Sequence, residues 1–526
     1  MIISFYHSLI KALLHLSINQ KKDLKRNINI LPLTLIICIL LASCENWLDI
    51  NQDPDSPQEV GYEELLPAGI SSIAYVMGGR YQVLGALWSQ HWTQSPGASQ
   101  YSGLDSYDIN SSTFDQNQFG ELYSGALQNL ERVRLESFVE GEYNYYLIST
   151  VVQCYIYQVL ADLYDQVPFS EALKGDEGIT EPVYESGEDI YDSLIARIDF
   201  ALALDFNKEG LIDPEEKDLV FGGDIEKWKD FANTLKLRLF IRQSGVGPSK
   251  AQQGIEAMYD AGCGFLENDA TLDIFTDESG RRNPLYDTEY FTFGKNPNLI
   301  LSQTLYGFLN KNRDFQRLNS LFNNPANGGG HKALAQGNYY APDEAAGINS
   351  SSYSKPVMEP SAPVFLMSAA ESYLLQAEAI IRYKVDDYGR AKDLYEQAVI
   401  ESYARVLITD AEAHAEIFYN GAYAFPAEGS MPDSFIESIA TQKWLSLSGI
   451  QNLETFFELN RTGYPKISDV PADDPAYKVG ELTVSVNNVT SGKFPKRLVF
   501  PESEYANNRN TPAFKEVWQN VWWDID

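Results

Sequence analysis

The sequence predicts a mainly α-helical fold, in which tetratricopeptide-like helix pairs form a frame and long irregular loops form a surface. Three observations predict it. Apolar residues recur with helical spacing along much of the chain, two such helices flank a short turn, and stretches rich in Asn, Gly, Ser and Pro separate the helices. The hydrophobic fraction of 44% excludes a disordered chain, and 526 residues suffice for one large domain.

The N-terminus has the pattern of a bacterial lipoprotein signal. The basic stretch KKDLKR at 21–26 precedes the apolar run ILPLTLIICILLAS at 30–43. That run is shorter than the ~20 residues that a membrane-spanning helix needs. Leu41-Ala42-Ser43-Cys44 has the form of a lipobox, in which the Cys44 thiol receives a diacylglycerol. The alternative is a secreted or membrane-anchored protein in which Cys44 is incidental.

This pattern divides the chain into three segments. We expect a lipoprotein signal peptide over 1–43, a lipidated polar tether over 44–60 and a single domain over 61–526. Two or three acyl chains, at ~0.8 kcal/mol per buried CH₂, would hold the protein on a bilayer permanently. Within the tether, NQDPDS at 51–56 spaces oxygen ligands as a calcium loop does, but it lacks the glycine and the glutamate of such a loop.

Helical spacing predicts each element of the frame. In the window 147–165, apolar residues recur at i, i+1, i+4 and i+5, which is typical of one buried helix face. The window 363–383 and the helix that follows the turn at 386–389 alternate small and aromatic residues, as in a tetratricopeptide hairpin. The other predicted helices cover 117–138, 188–203, 224–243, 298–310 and 433–447.

Long segments rich in Asn, Gly, Ser and Pro connect these helices. Connections of such length are either functional or disordered. Their many tyrosines and phenylalanines argue against disorder, so we expect them to form a surface on the helical frame. The segments are 93–116, 261–297, 322–362 and 464–512.

Charge and motif content exclude several classes of function. With 40 basic and 73 acidic residues, the net charge of −33 repels phosphates, so we expect no nucleic acid partner. The sequence contains no G-x-S-x-G elbow, no G-x-x-x-x-G-K loop and no H-E-x-x-H motif. We therefore expect no enzyme, no cofactor and no metal centre. Cys154 and Cys263 are either two free thiols or one disulfide, and the sequence leaves both possibilities open.

Several motifs, in a fixed order, resemble the SusD/RagB family of nutrient-binding lipoproteins, in particular its SusD-like branch with a DINxDP-type start. They begin at the lipid cysteine and extend to residue 508. The motifs are CENWLDINQDP at 44–54, LADLYDQVPFSEAL at 160–173, KWKDFANTLKLRLFIR at 227–242, FLMSAAESYLLQAEAI at 365–380, IATQKWLSLSGIQNLETFFELNRTGYP at 439–465 and FPKRLVFPESEYANN at 494–508.

The resemblance implies a binding protein on the outer face of the bacterial outer membrane, tethered through acylated Cys44. Members of the family cap a SusC-like TonB-dependent barrel as a hinged lid and deliver an oligosaccharide or a peptide into it. Two alternatives are an accessory lipoprotein with surface glycoside hydrolase or peptidase activity and a structural lipoprotein without a ligand. The sequence does not identify the ligand.

Two loop segments carry the candidate ligand-binding residues. Sugars present C–H faces that stack on aromatic rings and hydroxyls that need polar partners. The spacing of the two tryptophans in the first segment also fits core rings, and the arginines of the second also fit a solvated basic turn. The candidates are Trp88, His91, Trp92, Tyr101, Asp105 and Tyr107 in segment 86–107, and Arg281, Arg282 and Tyr286 in segment 279–290.

Overall fold

Helices dominate the part of the chain that the computed structural model describes, which comprises residues 60–294, 298–340, 350–407 and 409–525. Contacts group Gly61–Asp526 into one compact unit. Cys44, the predicted signal peptide, the DINxDP-type start and almost all of the tether lie outside the described residues. The mainly α-helical fold class is confirmed.

The helices and strands occur in the following order. The α-helices are α1 Tyr62–Met77, α2 Arg80–Trp88, α3 Ser102–Asp105, α4 Gln128–Glu140, α5 Tyr143–Tyr164, α6 Gly187–Leu202, α7 Ile225–Arg242, α8 Pro248–Asp260, α9 Pro284–Asp287, α10 Gln303–Lys311, α11 Phe315–Leu321, α12 Ala369–Tyr383, α13 Tyr388–Val406, α14 Ala411–Tyr419, α15 Pro432–Ser446, α16 Asn452–Thr462 and α17 Glu502–Asn507. The strands are β1 Trp92–Gln94, β2 Gln166–Pro168, β3 Tyr184–Ser186, β4 Ala270–Leu272, β5 Leu299–Leu301, β6 Phe322–Asn323, β7 Lys355–Pro356 and β8 Val364–Met367.

Side-chain caps fix the start of the predicted helix hairpin. The Ser368 side chain accepts a hydrogen bond from the Glu371 N–H and begins α12, and the Asp387 carboxylate accepts one from the Arg390 N–H and begins α13. The small residue Ala391 is fully buried in α13, where it lets the two helices approach closely. The helix pair agrees with the predicted tetratricopeptide type.

Two windows that the sequence predicts as helical begin with a β-strand in the structure. The window 363–383 starts with β8, which pairs antiparallel with β4, and the window 298–310 starts with β5, which pairs antiparallel with β1. Both strands are buried throughout. A short apolar run that is buried on every side has no polar face, so its periodicity does not separate a strand from a helix. In the window 117–138, π-helical turns precede α4.

The centre of the frame contains buried charges as well as apolar side chains. Helix α5 is buried from Asn144 to Tyr164 and packs against α4, α6 and α7. Beside it, basic and acidic side chains from α5, α7, α12, α15 and α16 pair with one another. We call this group the buried charge cluster; it consists of Arg238, Arg242, Lys443 and Arg461 with Asp162, Glu371, Glu378, Glu454 and Glu458.

Short antiparallel ribbons attach the long loops to this frame. They pair β1 with β5, β2 with β3, β4 with β8 and β6 with β7. Cys154 is buried in α5, whereas Cys263 is half-buried, and both are free thiols. The disulfide alternative is therefore excluded in this structure.

Candidate functional site

Most of the residues predicted in the segment 86–107 lie in the core. Trp88 and His91 are fully buried, and Tyr107 is 1% exposed. The Trp88 indole N–H donates to the Leu104 carbonyl at 3.0 Å, and its ring packs edge-on against Phe456 at 4.9 Å. Their expected role in ligand contact is therefore corrected to core packing, because these side chains hold the segment against the frame and present no ring to solvent.

His91 is a neutral core residue. Its Nδ1 lies 2.9 Å from Asn452 Oδ1. An amide oxygen can only accept, so this nitrogen carries the ring proton. Burial lowers the His91 pKa to about 4, which keeps the imidazole uncharged at neutral pH. The ring also lies 5.1 Å from that of Trp444.

Asp105 joins two loops instead of reaching a ligand. It is fully buried, and its Oδ2 accepts hydrogen bonds from the Thr93 hydroxyl at 2.7 Å and the Gln94 N–H at 2.9 Å. Its Oδ1 accepts one from the Gln336 side chain at 2.5 Å, in the loop after β6. Burial raises the Asp105 pKa to about 6 despite these donors. The expected ligand role of Asp105 is corrected in the same way.

Tyr101 contacts the second candidate segment through a hydrogen bond and a ring contact. Its hydroxyl donates to Glu289 Oε1 at 2.5 Å, and its ring lies edge-on to Phe293 at 6.0 Å. Glu289 is fully buried and accepts a second hydrogen bond from the Asn298 N–H at 2.6 Å. Burial raises the pKa of Glu289 above its usual range. Tyr101 is 4% exposed, so it positions the second segment from within the core and does not form part of the surface itself.

The second segment folds as a short helix that Asn283 fixes at its start. The Asn283 Oδ1 accepts from the N–H groups of Leu285 and Tyr286, and its Nδ2 donates to the Ala362 carbonyl at 2.9 Å. Pro284 occupies the first helical position, where no N–H is needed. Helix α9 then continues as a π-helical turn over Thr288–Thr292. Asn283 therefore connects this segment to the loop before β8.

Three rings on this segment form an aromatic platform, which consists of Tyr286, Tyr290 and Phe291. The rings of Tyr286 and Tyr290 stack at 4.7 Å with an interplanar angle of 23°, and Phe291 lies 6.1 Å from Tyr286. Phe291 is 53% exposed, whereas the tyrosines are half-buried. A half-exposed ring on a supported turn offers a flat apolar face to a ligand.

Charged side chains surround the platform. The Arg282 guanidinium lies 3.9 Å from the centre of the Phe291 ring and pairs with Asp277 at 2.7 Å and with Asp287 at 3.5 Å. These carboxylates raise the Arg282 pKa, so the guanidinium stays charged. Arg281 is exposed and pairs with Glu278 at 3.2 Å. The structure thus brings Arg282 and Tyr286 together, while Arg281 pairs with an acidic neighbour on the solvated turn.

A cavity of about 400 Å³ opens on the other side of α9. Leu285 faces it from α9, Leu321 and Phe322 from the end of α11 and β6, and Phe365 from β8. Trp92, which is 4% exposed, also lines this cavity. Among the predicted residues of the first segment, Trp92 is thus the one next to a space that a ligand could enter.

Sequence reasoning missed Tyr290, Phe291 and the cavity. The predicted segment began at Ser279 and ended at residue 290, one residue before the most exposed ring of the platform. The i, i+4 spacing of Tyr286 and Tyr290 was an available signal, because side chains four apart share a helix face. The cavity had no comparable signal, since its walls come from distant parts of the chain.

Across the described ranges, no group of three or more His, Cys, Asp or Glu side chains is arranged to hold a metal ion. Within the same ranges, no helix combines the length and the apolar character needed to cross a membrane.

Comparisons with known proteins agree on one family. Residues 54–498 match the profile of a SusD-like family described as starch-binding and associating with the outer membrane. A search of curated proteins finds no match. In fold, the chain is similar to a SusD homolog from Bacteroides uniformis (23% identity, TM-score 0.66, 88% of this chain and 99% of that chain covered). It is similar also to a SusD/RagB family protein from Bacteroides thetaiotaomicron (22% identity, TM-score 0.71, 89% of this chain and 99% of that chain covered). A third similar structure is a chitin-binding protein (22% identity, TM-score 0.64, 88% of this chain and 100% of that chain covered).

Proposed function

Because the chain belongs to the SusD-like family of starch-binding proteins that associate with the outer membrane, we propose that it captures an oligosaccharide on the aromatic platform and passes it to a SusC-like TonB-dependent barrel. The proteins of this family bind their ligands and are not enzymes. The observation that carries the proposal is the half-exposed Phe291 ring beside the stacked pair Tyr286 and Tyr290.

The platform fits a sugar chain for physical reasons. Successive sugar rings present apolar C–H faces, which stack on aromatic rings, while their hydroxyls need donors and acceptors nearby. The Arg282 guanidinium lies over one face of the Phe291 ring and leaves the other face for a sugar, and Arg282 can supply donors while its partners Asp277 and Asp287 can supply acceptors. The similar fold of a chitin-binding protein supports a glycan ligand, and the family description favours an α-glucan.

The proposed location and partner rest on the N-terminal motif and the family. A diacylglycerol on Cys44 would anchor the protein on the outer membrane with the compact unit facing the outside. The protein would close the barrel as a hinged lid. Replacing Cys44 by serine should release the protein from the membrane fraction into the soluble fraction, and unchanged fractionation would refute the lipid anchor.

Calorimetry tests the binding role. The chain from Glu45 onward contains the whole compact unit and would be titrated with maltoheptaose, chitohexaose and a mixture of short peptides. We expect an oligosaccharide to bind and Phe291→Ala to weaken that binding about fivefold, as the loss of one stacked ring costs on the order of 1 kcal/mol. The matched control is Phe514→Ala, because Phe514 is 54% exposed and lies outside the platform, and it should change nothing.

Three results would contradict the proposal. Full-strength binding by Phe291→Ala would exclude the platform as the site. Binding of peptides without any oligosaccharide would exclude the glycan class, and turnover of a titrated oligosaccharide would indicate an enzyme.

A further inference from the structure

Arg405 brings a positive charge to the apolar cavity. It lies in the last turn of α13 and lines the cavity together with Leu321, Phe365 and Ile450. Among the described residues, it forms no ion pair, and its guanidinium donates one hydrogen bond, to the Ser446 carbonyl. A guanidinium carries five N–H donors, so most of its hydrogen-bonding capacity has no partner among the described residues.

Arg405 is partly exposed, and it differs from the arginine side chains of the buried charge cluster, which have carboxylate partners. Arg238, Arg242 and Arg461 each contact at least one glutamate within 2.8 Å. Arg405 has only the fields of more distant groups: Asp269 and Glu401 stabilise its charge, while Arg317 opposes it. Burial lowers the Arg405 pKa to about 10, so the guanidinium is charged at neutral pH. A partly desolvated charge without a nearby counter-charge carries a cost, and an anionic ligand would reduce that cost.

We propose that the cavity binds an amphipathic carboxylate, an apolar body with one anionic end that pairs with Arg405. The apolar walls match the body, and the fork of the guanidinium matches a carboxylate in two parallel hydrogen bonds. The carboxylate among the lining residues, Glu359, is exposed and forms no ion pair with Arg405 in the described chain. The proposal does not depend on a glycan at the platform.

A sugar ring fits the cavity less well. Every buried hydroxyl needs a partner, and two of the polar side chains that line the cavity are already engaged. Gln82 Oε1 accepts from the Asn452 N–H at 3.2 Å, and Asn283 caps α9. An apolar carboxylate needs only the partner that Arg405 supplies. Such a ligand could be a free acid or the C-terminal residue of a peptide, which share this chemistry.

Calorimetry with charged and neutral pairs of compounds tests the proposal. The chain from Glu45 would be titrated with 4-phenylbutyrate and 4-phenylbutyramide, which represent a free acid, and with N-acetylphenylalanine and its amide, which represent a peptide end. We expect at least one acid to bind at least about tenfold more tightly than its amide, as a charge-assisted bidentate pair is lost. The acid that binds identifies the source.

Two variants test whether the difference in affinity between acid and amide depends on Arg405. Arg405→Gln should abolish the difference between acid and amide. Arg390→Gln, at the exposed start of the same helix, should preserve it. Should Arg405→Gln fail to fold, Val357→Trp would serve instead, because Val357 is 41% exposed and lines the cavity, so the larger ring would block binding of the acid.

The proposal fails if neither acid binds more tightly than its amide. It also fails if folded Arg405→Gln keeps the difference or if Val357→Trp leaves binding of the acid intact. The glycan titrations remain a separate readout, so a negative result here and a negative result at the platform can be told apart.

Discussion

Replacing Arg242 by methionine removes a cation that three buried carboxylates share. The guanidinium contacts Glu454 at 2.6 Å, Glu458 at 2.5 Å and Asp162 at 3.4 Å. Its faces lie 5.4 Å from the ring of Phe457 and 5.3 Å from the ring of Trp523. Methionine restores part of the apolar contact with these rings but none of the charge. The variant therefore tests the electrostatic role of Arg242 and not only its packing.

The magnitude follows from burial. The Arg242 side chain is 0% exposed and its carboxylate partners are at most 7% exposed, so solvent screens them little. Breaking a buried pair by removing one partner costs about 3–5 kcal/mol. Among the described residues, Asp162 loses its basic partner, whereas Glu454 and Glu458 each lose one and keep Lys443. At ~2.1 cal/mol/K per residue, the unfolding entropy of a unit of this size is about 1 kcal/mol/K. The melting temperature should therefore fall by about 3–5 °C.

Thermal unfolding followed by circular dichroism at pH 7 measures this loss. The control is Arg281→Met, because the Arg281 and Glu278 side chains are 62% and 66% exposed and an exposed pair contributes about 0–1 kcal/mol. Adding Glu454→Gln to Arg242→Met should recover part of the loss, since it removes one of the carboxylates that lost Arg242 and leaves Lys443 to Glu458 and Glu371. A melting temperature of Arg242→Met within 1 °C of the control would refute the reasoning.

Three further predictions concern positions outside this cluster. Tyr101→Phe should weaken oligosaccharide binding less than Phe291→Ala does, since it removes the hydrogen bond to Glu289 and no contact surface; equal affinity to wild type would contradict the supporting role. Burial depresses the His91 pKa from 6.5 in the unfolded chain to about 4 in the folded protein. Between these two pH values the unfolded chain binds a proton at His91 that the folded protein does not bind. The stability of the wild type therefore falls as the pH drops from 6.5 towards 4, by at most ~1.4 kcal/mol per pH unit. His91→Gln should accordingly lose less melting temperature between pH 7 and pH 5 than wild type, and parallel curves would contradict this. Gly85→Ala should lower the melting temperature by at least about 1–3 °C, because the added Cβ would overlap the backbone of α16 and overpacking costs ~1–3 kcal/mol. An unchanged melting temperature would contradict the close approach of Gly85 to α16.

The helical frame was largely predictable because its helices have one apolar face. Helix α6 places Ile190, Leu194 and Ile198 on a buried face and charged residues elsewhere. Helix α16 buries charged residues as well as apolar ones, and it was not predicted as a separate helix. Its glutamates Glu454 and Glu458 are buried with basic partners, so they interrupt the apolar stripe that periodicity detects. Buried charge pairs make a core helix look polar in the sequence.

The candidate site was predictable only in part, because burial of a ring depends on partners far away in the chain. Tyr101 and Phe291 are both aromatic residues in polar loops, and their local sequences do not distinguish them. Tyr101 donates its hydroxyl to Glu289, 188 residues away, and is buried there, whereas the ring and cation contacts of Phe291 among the described residues are with Tyr286 and Arg282 of its own segment. The sequence could not predict the role of Arg405 either, because the presence or absence of a carboxylate beside it also depends on distant parts of the chain.

If the platform binds a sugar chain as proposed, the buried Tyr101 of the first segment would contribute to binding through preorganisation. A flat ring gains affinity from stacking only if it is held in place before the ligand arrives, because ordering a mobile side chain costs about 0.5–1.5 kcal/mol. The platform rings lie on a short helix and one π-helical turn, which would be unstable alone. Glu289 anchors that turn to Tyr101, and Asn283 anchors its start to the loop before β8. The aromatic content of the loops therefore serves two purposes: most rings fix the backbone, so that a few can face a ligand.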